Sequence, residues 1–137
     1  MAPPAATPGS TGTRSTVTES MRFRSNNWNN QVSRHALMIP DRTALRFLGE
    51  SISWSQLDAR IDKLADALSR RGIGFGDRVI VLMLNRPEYL ETVLAANALG
   101  AIAVPVNFRL TAPEVAFLVA DSGAKAIVAE GPLVPLA

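Results

Sequence analysis

An α/β fold with a mainly parallel sheet and βαβ crossovers is what this sequence predicts, and three observations carry the prediction. Residues 79–84 form an unbroken apolar run led by β-branched side chains, the pattern of a strand covered on both faces. Two shorter apolar runs follow, at residues 102–106 and 126–128. Between the three lie segments of helical periodicity, residues 86–99 and 111–122, of the length that right-handed crossovers require.

Taken in order, the first twenty residues are rich in Ala, Pro, Ser, Thr and Gly, contain no aromatic side chain, and read as a disordered leader. No apolar stretch marks a secretory signal, and Arg14 alone gives too little positive charge for a transit peptide. Residues 9–13 have the composition of a phosphate loop, but with no strand before them and no lysine nearby they read as part of the leader. Residues 28–37 are amphipathic, with His35 near the end, where a cation suits a helix C-terminus and a surface position is expected.

Residues 43–48 and 52–54 flank Gly49, Glu50 and Ser51 as a short hairpin. A helix then carries Leu57, Ile61, Leu64, Ala65 and Leu68 on one face, with Ser53 and Gln56 as a capping box and Ile52 as a staple. Asp58, Arg60, Asp62, Lys63 and Asp66 form its solvated and partly ion-paired face rather than a catalytic carboxylate pair. Gly72, Gly74 and Gly76 follow a helix and precede a strand, which makes them a cap and loop; a dinucleotide site would need a helix N-terminus there.

The helix after the first buried strand is expected to be capped by Asn85 with Glu88 and stopped by Gly100, with Leu90, Val93, Leu94 and Ala98 inward. Glu88 and Glu91 suit the helix dipole better than acid–base work, and Asn97, near the apolar stripe, is expected to bond a backbone group. Pro105 belongs at a strand end or an unpaired position. Thr111 and Glu114 repeat the capping pattern, and Gly123 closes that helix.

With 137 residues, 47% of them hydrophobic, there is material for one core. The absence of cysteine and the single histidine exclude a disulfide framework, a thiol nucleophile, the usual zinc sites and a histidine-dependent triad. A net charge of +2, with arginines scattered among carboxylates, gives no basic stripe; Arg22 and Arg24 beside Trp28 read as ordinary surface, and no nucleic-acid partner is expected. No segment is long and apolar enough to span a membrane.

Read together, the segments at residues 40–45, 53–57, 76–79, 85–89, 98–107, 110–114 and 121–125 resemble, in order and spacing, the N-terminal region of adenylate-forming acyl-CoA synthetases. The wording of residues 103–111 is most similar to the fatty-acid–CoA ligases. The resemblance implies the N-terminal part of that family's large domain and a two-step reaction. A fatty or other carboxylic acid attacks the α-phosphate of ATP with Mg²⁺ present, and the thiol of coenzyme A then displaces AMP. Such catalysis works by positioning and electrostatics.

The family motifs for that chemistry are a Ser/Thr/Gly-rich loop ending in Pro-Lys-Gly, an aromatic-x-x-Thr-Glu segment, a ribose-binding Asp, a hinge and a C-terminal Lys. None has a counterpart in these 137 residues, so no catalytic, cofactor-binding or metal residue is assigned and no cofactor is expected to be held by this chain alone. Residues 21–137 are expected to form an incomplete subdomain, cytoplasmic, inactive by itself, and poorly soluble or partly folded because its sheet is not fully covered. Residues 131–137 are expected to close no element. The competing expectation is a noncatalytic α/β module that binds a complementary fragment.

Overall fold

The computed structural model describes residues 27–137. The expected leader, the 9–13 stretch, Arg22 and Arg24 lie outside them. Helix α1 spans Trp28–Met38, strands β1 and β2 Thr43–Phe47 and Glu50–Ser53, and helix α2 Trp54–Arg70. Then come β3 (Arg78–Leu82), α3 (Pro87–Ala98), β4 (Ile102–Pro105), α4 (Ala112–Ser122), β5 (Ala126–Ala129) and a 3₁₀ helix at Gly131–Leu136.

β1 and β2 pair antiparallel, while β4, β3 and β5 form a parallel sheet in that order, with Ile80 opposite Val104 on one side and Ile127 on the other. The two crossovers leave in opposite directions along the sheet, so right-handed connections place α3 and α4 on opposite faces. The two cores agree with this. Val79 packs with Leu57, Ile61 and Leu68 of α2 and Leu94 and Ala95 of α3, whereas Ile80 and Leu82 pack with Val106 and with Val115 of α4. Residues 79–82 are fully buried, which is why the central strand can be apolar on both sides. Pro105 ends β4, an edge strand, where its missing N–H breaks no ladder.

Local chemistry sets the helix ends. The Gln56 N–H donates to Ser53 Oγ at 3.3 Å and the Ser53 N–H to Gln56 Oε1 at 2.9 Å, completing the capping box of α2. Thr111 donates its N–H and its hydroxyl to Glu114 Oε2, at 2.8 and 2.7 Å. Gly123, at φ +60°, ends α4 in the left-handed conformation that favours glycine.

Four expectations need correction. The hairpin turn is Leu48–Gly49, both at positive φ (+48° and +88°), as a type I′ turn requires, and Glu50 and Ser51 belong to β2. The N-cap of α3 is Arg86 with no side-chain cap, because Glu88 pairs with Arg86 and not with the backbone of Asn85. The inward face of α3 is Glu91, Thr92, Leu94, Ala95 and Ala96, while Leu90 is exposed. Residues 131–137 do close an element: Leu133 and Leu136 of the 3₁₀ helix pack against the α4-side core.

Leu48 is 88% exposed, so it holds a left-handed conformation with little burial in return. Leu48→Asn is expected to stabilise the chain by about 0.5–1 kcal/mol, since Asn-Gly suits this turn. An unchanged or lower denaturation midpoint would contradict the turn assignment.

Candidate functional site

The strand order makes β3 and β5 a topological switch point, because the chain leaves β3 toward β4 on one side and returns to β5 on the other. In open α/β sheets the crevice beyond the carboxyl ends of such strands is the usual ligand position. Here it is filled by a chain of ion pairs. The Leu84 N–H donates to Glu130 Oε2 at 3.1 Å, and Arg86 Nη1 donates to Glu130 Oε1 at 2.6 Å. Arg86 Nε reaches Glu88 Oε2 at 2.7 Å. Arg60 on α2 lies 3.8 Å from Glu88 Oε1 and 2.9 Å from Glu91 Oε1. β5, the loop after β3, α3 and α2 are thereby tied by one network. An open cleft of about 610 Å³ adjoins it, lined by Phe47, Leu48, Ile52, Ala59, Arg60 and Arg86.

The carboxylates in this network titrate in opposite senses. The backbone N–H of Leu84, then Arg86, hold the Glu130 carboxyl below its usual range, and Arg86 does the same for Glu88. Glu91 is 5% exposed and burial pushes its carboxyl up, against the attraction of Arg60. Arg86, between two carboxylates, is held more firmly protonated than an ordinary arginine. For Glu130 and Glu88, depressed folded-state values mean stability that is present above the ordinary carboxylate range and lost as pH falls through the folded values. Glu130→Gln is expected to flatten the loss of stability below about pH 4.5, the upper side of the ordinary carboxylate range. An acid limb as steep as in the unaltered chain would rule out this pairing.

A second polar cluster sits at the amino end of the sheet. Arg78 donates to the carbonyls of Ser122 (2.8 Å), Gly76 (3.1 Å) and Gly123 (3.2 Å), placing its charge at the C-terminus of α4. Lys125 pairs with Asp77 at 3.0 Å, and Asp77 also accepts the Gly74 N–H at 2.9 Å. The segments at residues 76–79 and 121–125, far apart in sequence, are one bonded unit. The glycines at 72–76 form the loop expected of them, with Asp77 closing it.

Other side chains singled out by sequence have structural surroundings. His35 is half-buried, with its ring stacked on Trp54 at 4.5 Å, and its Nδ1 lies 2.6 Å from the Gln31 carbonyl; a carbonyl only accepts, so Nδ1 carries the proton in this contact. A stack with a residue of α2 was not legible in α1. Asn97 donates to the Val93 carbonyl at 2.8 Å, the backbone bond expected of it. Arg60, on the solvated and partly ion-paired face expected of α2, is exposed and serves as the counterion of buried Glu91.

The ion-pair network at the carboxyl end does not fit a nucleotide phosphate. The Arg60 and Arg86 guanidiniums that would face phosphate are already met by Glu88, Glu91 and Glu130. Among the described residues no three His, Cys, Asp or Glu converge to hold a metal, and no helix is long and apolar enough to cross a membrane.

Comparison with known proteins places this geometry. Residues 32–136 match the AMP-binding enzyme family. A feruloyl-CoA synthase from Amycolatopsis is 43% identical over 95 residues, 69% of this chain and 19% of that protein. The long-chain-fatty-acid–CoA ligase FadD13 of Mycobacterium tuberculosis is 42% identical over 85 residues, 62% of this chain and 17% of its own length. A solved Mycobacterium tuberculosis fatty acyl CoA synthetase superposes with a TM-score of 0.76 at 36% identity, covering 80% of this chain and 22% of that one. The matched stretch is therefore about a fifth of the length of these relatives.

Proposed function

The chain belongs to the AMP-binding enzyme family, and we propose that residues 21–137 serve as an N-terminal portion of the large domain of an acid–CoA ligase. Such a ligase activates a carboxylic acid with ATP and Mg²⁺ and passes the acyl group to coenzyme A. A fatty acid is the proposed substrate, supported by the likeness to FadD13 and by residues 103–111; an aromatic acid is the second reading, favoured by the likeness to feruloyl-CoA synthase. We place the reaction in the cytoplasm.

The observation that carries the reading is that the matched segments bind one another. Arg78 and Asp77 hold residues 122–125, and Arg86 holds Glu130. These contacts make them supports for a sheet, with the polar groups spent on folding. The reading accordingly gives this portion a scaffolding role and leaves adenylation and thioester formation to family motifs these residues do not contain. Purified alone, the 137-residue chain is expected to catalyse neither ATP–pyrophosphate exchange nor acyl-CoA formation with fatty or aromatic acids. Turnover above that of a denatured control would overturn the scaffolding assignment.

A further inference from the structure

The cleft of about 610 Å³ beside the ion-pair network combines two kinds of lining. Phe47, Leu48 and Ile52 of the hairpin, Ala59 of α2 and Pro87 of α3 are apolar, and Arg60, with its side chain 43% exposed, lines the same space. Small-molecule sites have this size and this pairing of apolar wall with a few polar groups.

Arg60 has donors left for a ligand. Its Nε lies 2.9 Å from Glu91 Oε1, yet among the described residues no donor is aligned for a hydrogen bond to that oxygen. Its Nη2 is 3.8 Å from Glu88 Oε1, beyond hydrogen-bond reach. A guanidinium carries five N–H donors, so most of them remain for an acceptor in the cleft. Arg86 differs, because Glu88 and Glu130 accept its donors at 2.6 to 3.3 Å. The same bonds balance the charge of Glu88 within the network.

We propose that this cleft binds an amphipathic monocarboxylate, with the carboxylate on Arg60 and the apolar body against Phe47, Leu48 and Ile52. Charge selects this ligand. A nucleotide phosphate would need both guanidiniums, and Arg86 is committed; a single carboxylate needs one edge of the planar fork that Arg60 offers. The site is made by this chain's own residues and does not depend on the scaffolding role, so its test involves no ligase activity.

Binding is coupled to a proton. Glu91 competes with the ligand for Arg60, and burial raises its carboxyl, so as pH falls Glu91 takes up a proton and releases Arg60 to the cleft. The charged groups acting on Glu91 are Arg60 from α2 and Glu88 one turn earlier on α3. Around the cleft stand also Arg86 and Glu50, with Glu130 behind Arg86. Glu88, held low by Arg86, and Glu130, held low by the Leu84 N–H and Arg86, stay charged while Glu91 titrates.

Isothermal titration of the 137-residue chain with octanoate tests the site. One-site saturation is expected, severalfold tighter at pH 5.5 than at pH 7.5. Octanamide, which keeps the apolar body without the charge, should bind at least tenfold more weakly. Glu91→Gln removes the competitor and is expected to tighten octanoate binding severalfold at pH 7.5 and to abolish its pH dependence. Arg60→Met combined with Glu91→Gln, which strands no carboxylate, should weaken it at least tenfold. No saturable binding up to about 10 mM octanoate overturns the inference. Equal affinities at the two pH values overturn it, as does octanamide bound as tightly as octanoate. A double variant that binds as well as Glu91→Gln overturns it too, since octanoate would then adhere without Arg60. Should the double variant lose the circular dichroism of the unaltered chain, Ala59→Trp, which fills the cleft from the exposed side of α2, is expected to abolish binding, and binding unaffected by it overturns the inference.

Discussion

Ile61→Ala is expected to lower the unfolding free energy of the chain by about 2–5 kcal/mol, read from urea denaturation midpoints. Ile61 is fully buried in the core that joins α2, α3 and β3, beside Leu57, Leu68, Val79, Leu94 and Ala95. Its truncation loses the transfer free energy of the removed atoms and leaves a cavity. The neighbours cannot close in easily, because Ala95 and Ala96 on α3 are already small and fully buried. Against a typical domain stability of about 5–15 kcal/mol this is a large fraction. A loss below about 1 kcal/mol would mean that α2 is not seated on the sheet as described.

Arg60→Met should give the other large effect, and its size should depend on pH. Burial raises the Glu91 carboxyl in the folded state, so the folded chain keeps its proton over a window in which the unfolded chain has released it. Stability therefore falls as pH rises from the ordinary carboxylate value through the raised one, the reverse of Glu130 and Glu88. Arg60, 2.9 Å away, offsets that loss as an ion-pair partner, and among the described residues no donor is aligned for a hydrogen bond to Glu91 Oε1. Without Arg60 a buried carboxylate is left uncompensated, at a cost of about 1–3 kcal/mol at pH 7 that shrinks toward pH 4 as Glu91 takes up a proton. Adding Glu91→Gln should restore most of it, and a loss that is the same at both pH values would contradict the pairing.

The sequence made those parts of the fold legible that depend on neighbouring residues. Ser53 with Gln56 and Gly123 act through bonds within a few positions, and the β-branched run at residues 79–82 marks a strand buried on both faces whatever surrounds it. The parts that were hidden depend on distant partners. Glu91 is inward because Arg60 arrives from another helix, a fact absent from the periodicity of α3, where Leu90 and Val93 looked the better core residues. The same holds for Leu48, whose positive φ is imposed by the pairing of Phe47 with Glu50. The polar segments of the family resemblance were visible as words, but that Arg78 grips the end of α4 and Glu130 spans Leu84 and Arg86 becomes evident only in three dimensions. Those contacts are the observation behind the scaffolding role proposed above.

The most direct measurement of the central claim is the rate of ATP-dependent acyl-CoA formation by a graft in which residues 27–137 replace the matched region of FadD13, assayed with a long-chain fatty acid. A scaffold that reproduces the fold should retain activity within about tenfold of the parent, a transition-state difference of about 1.4 kcal/mol. A folded, monodisperse graft with no measurable thioester would contradict it, and would show that these residues do more than hold the sheet or do not hold it in the form the ligase needs.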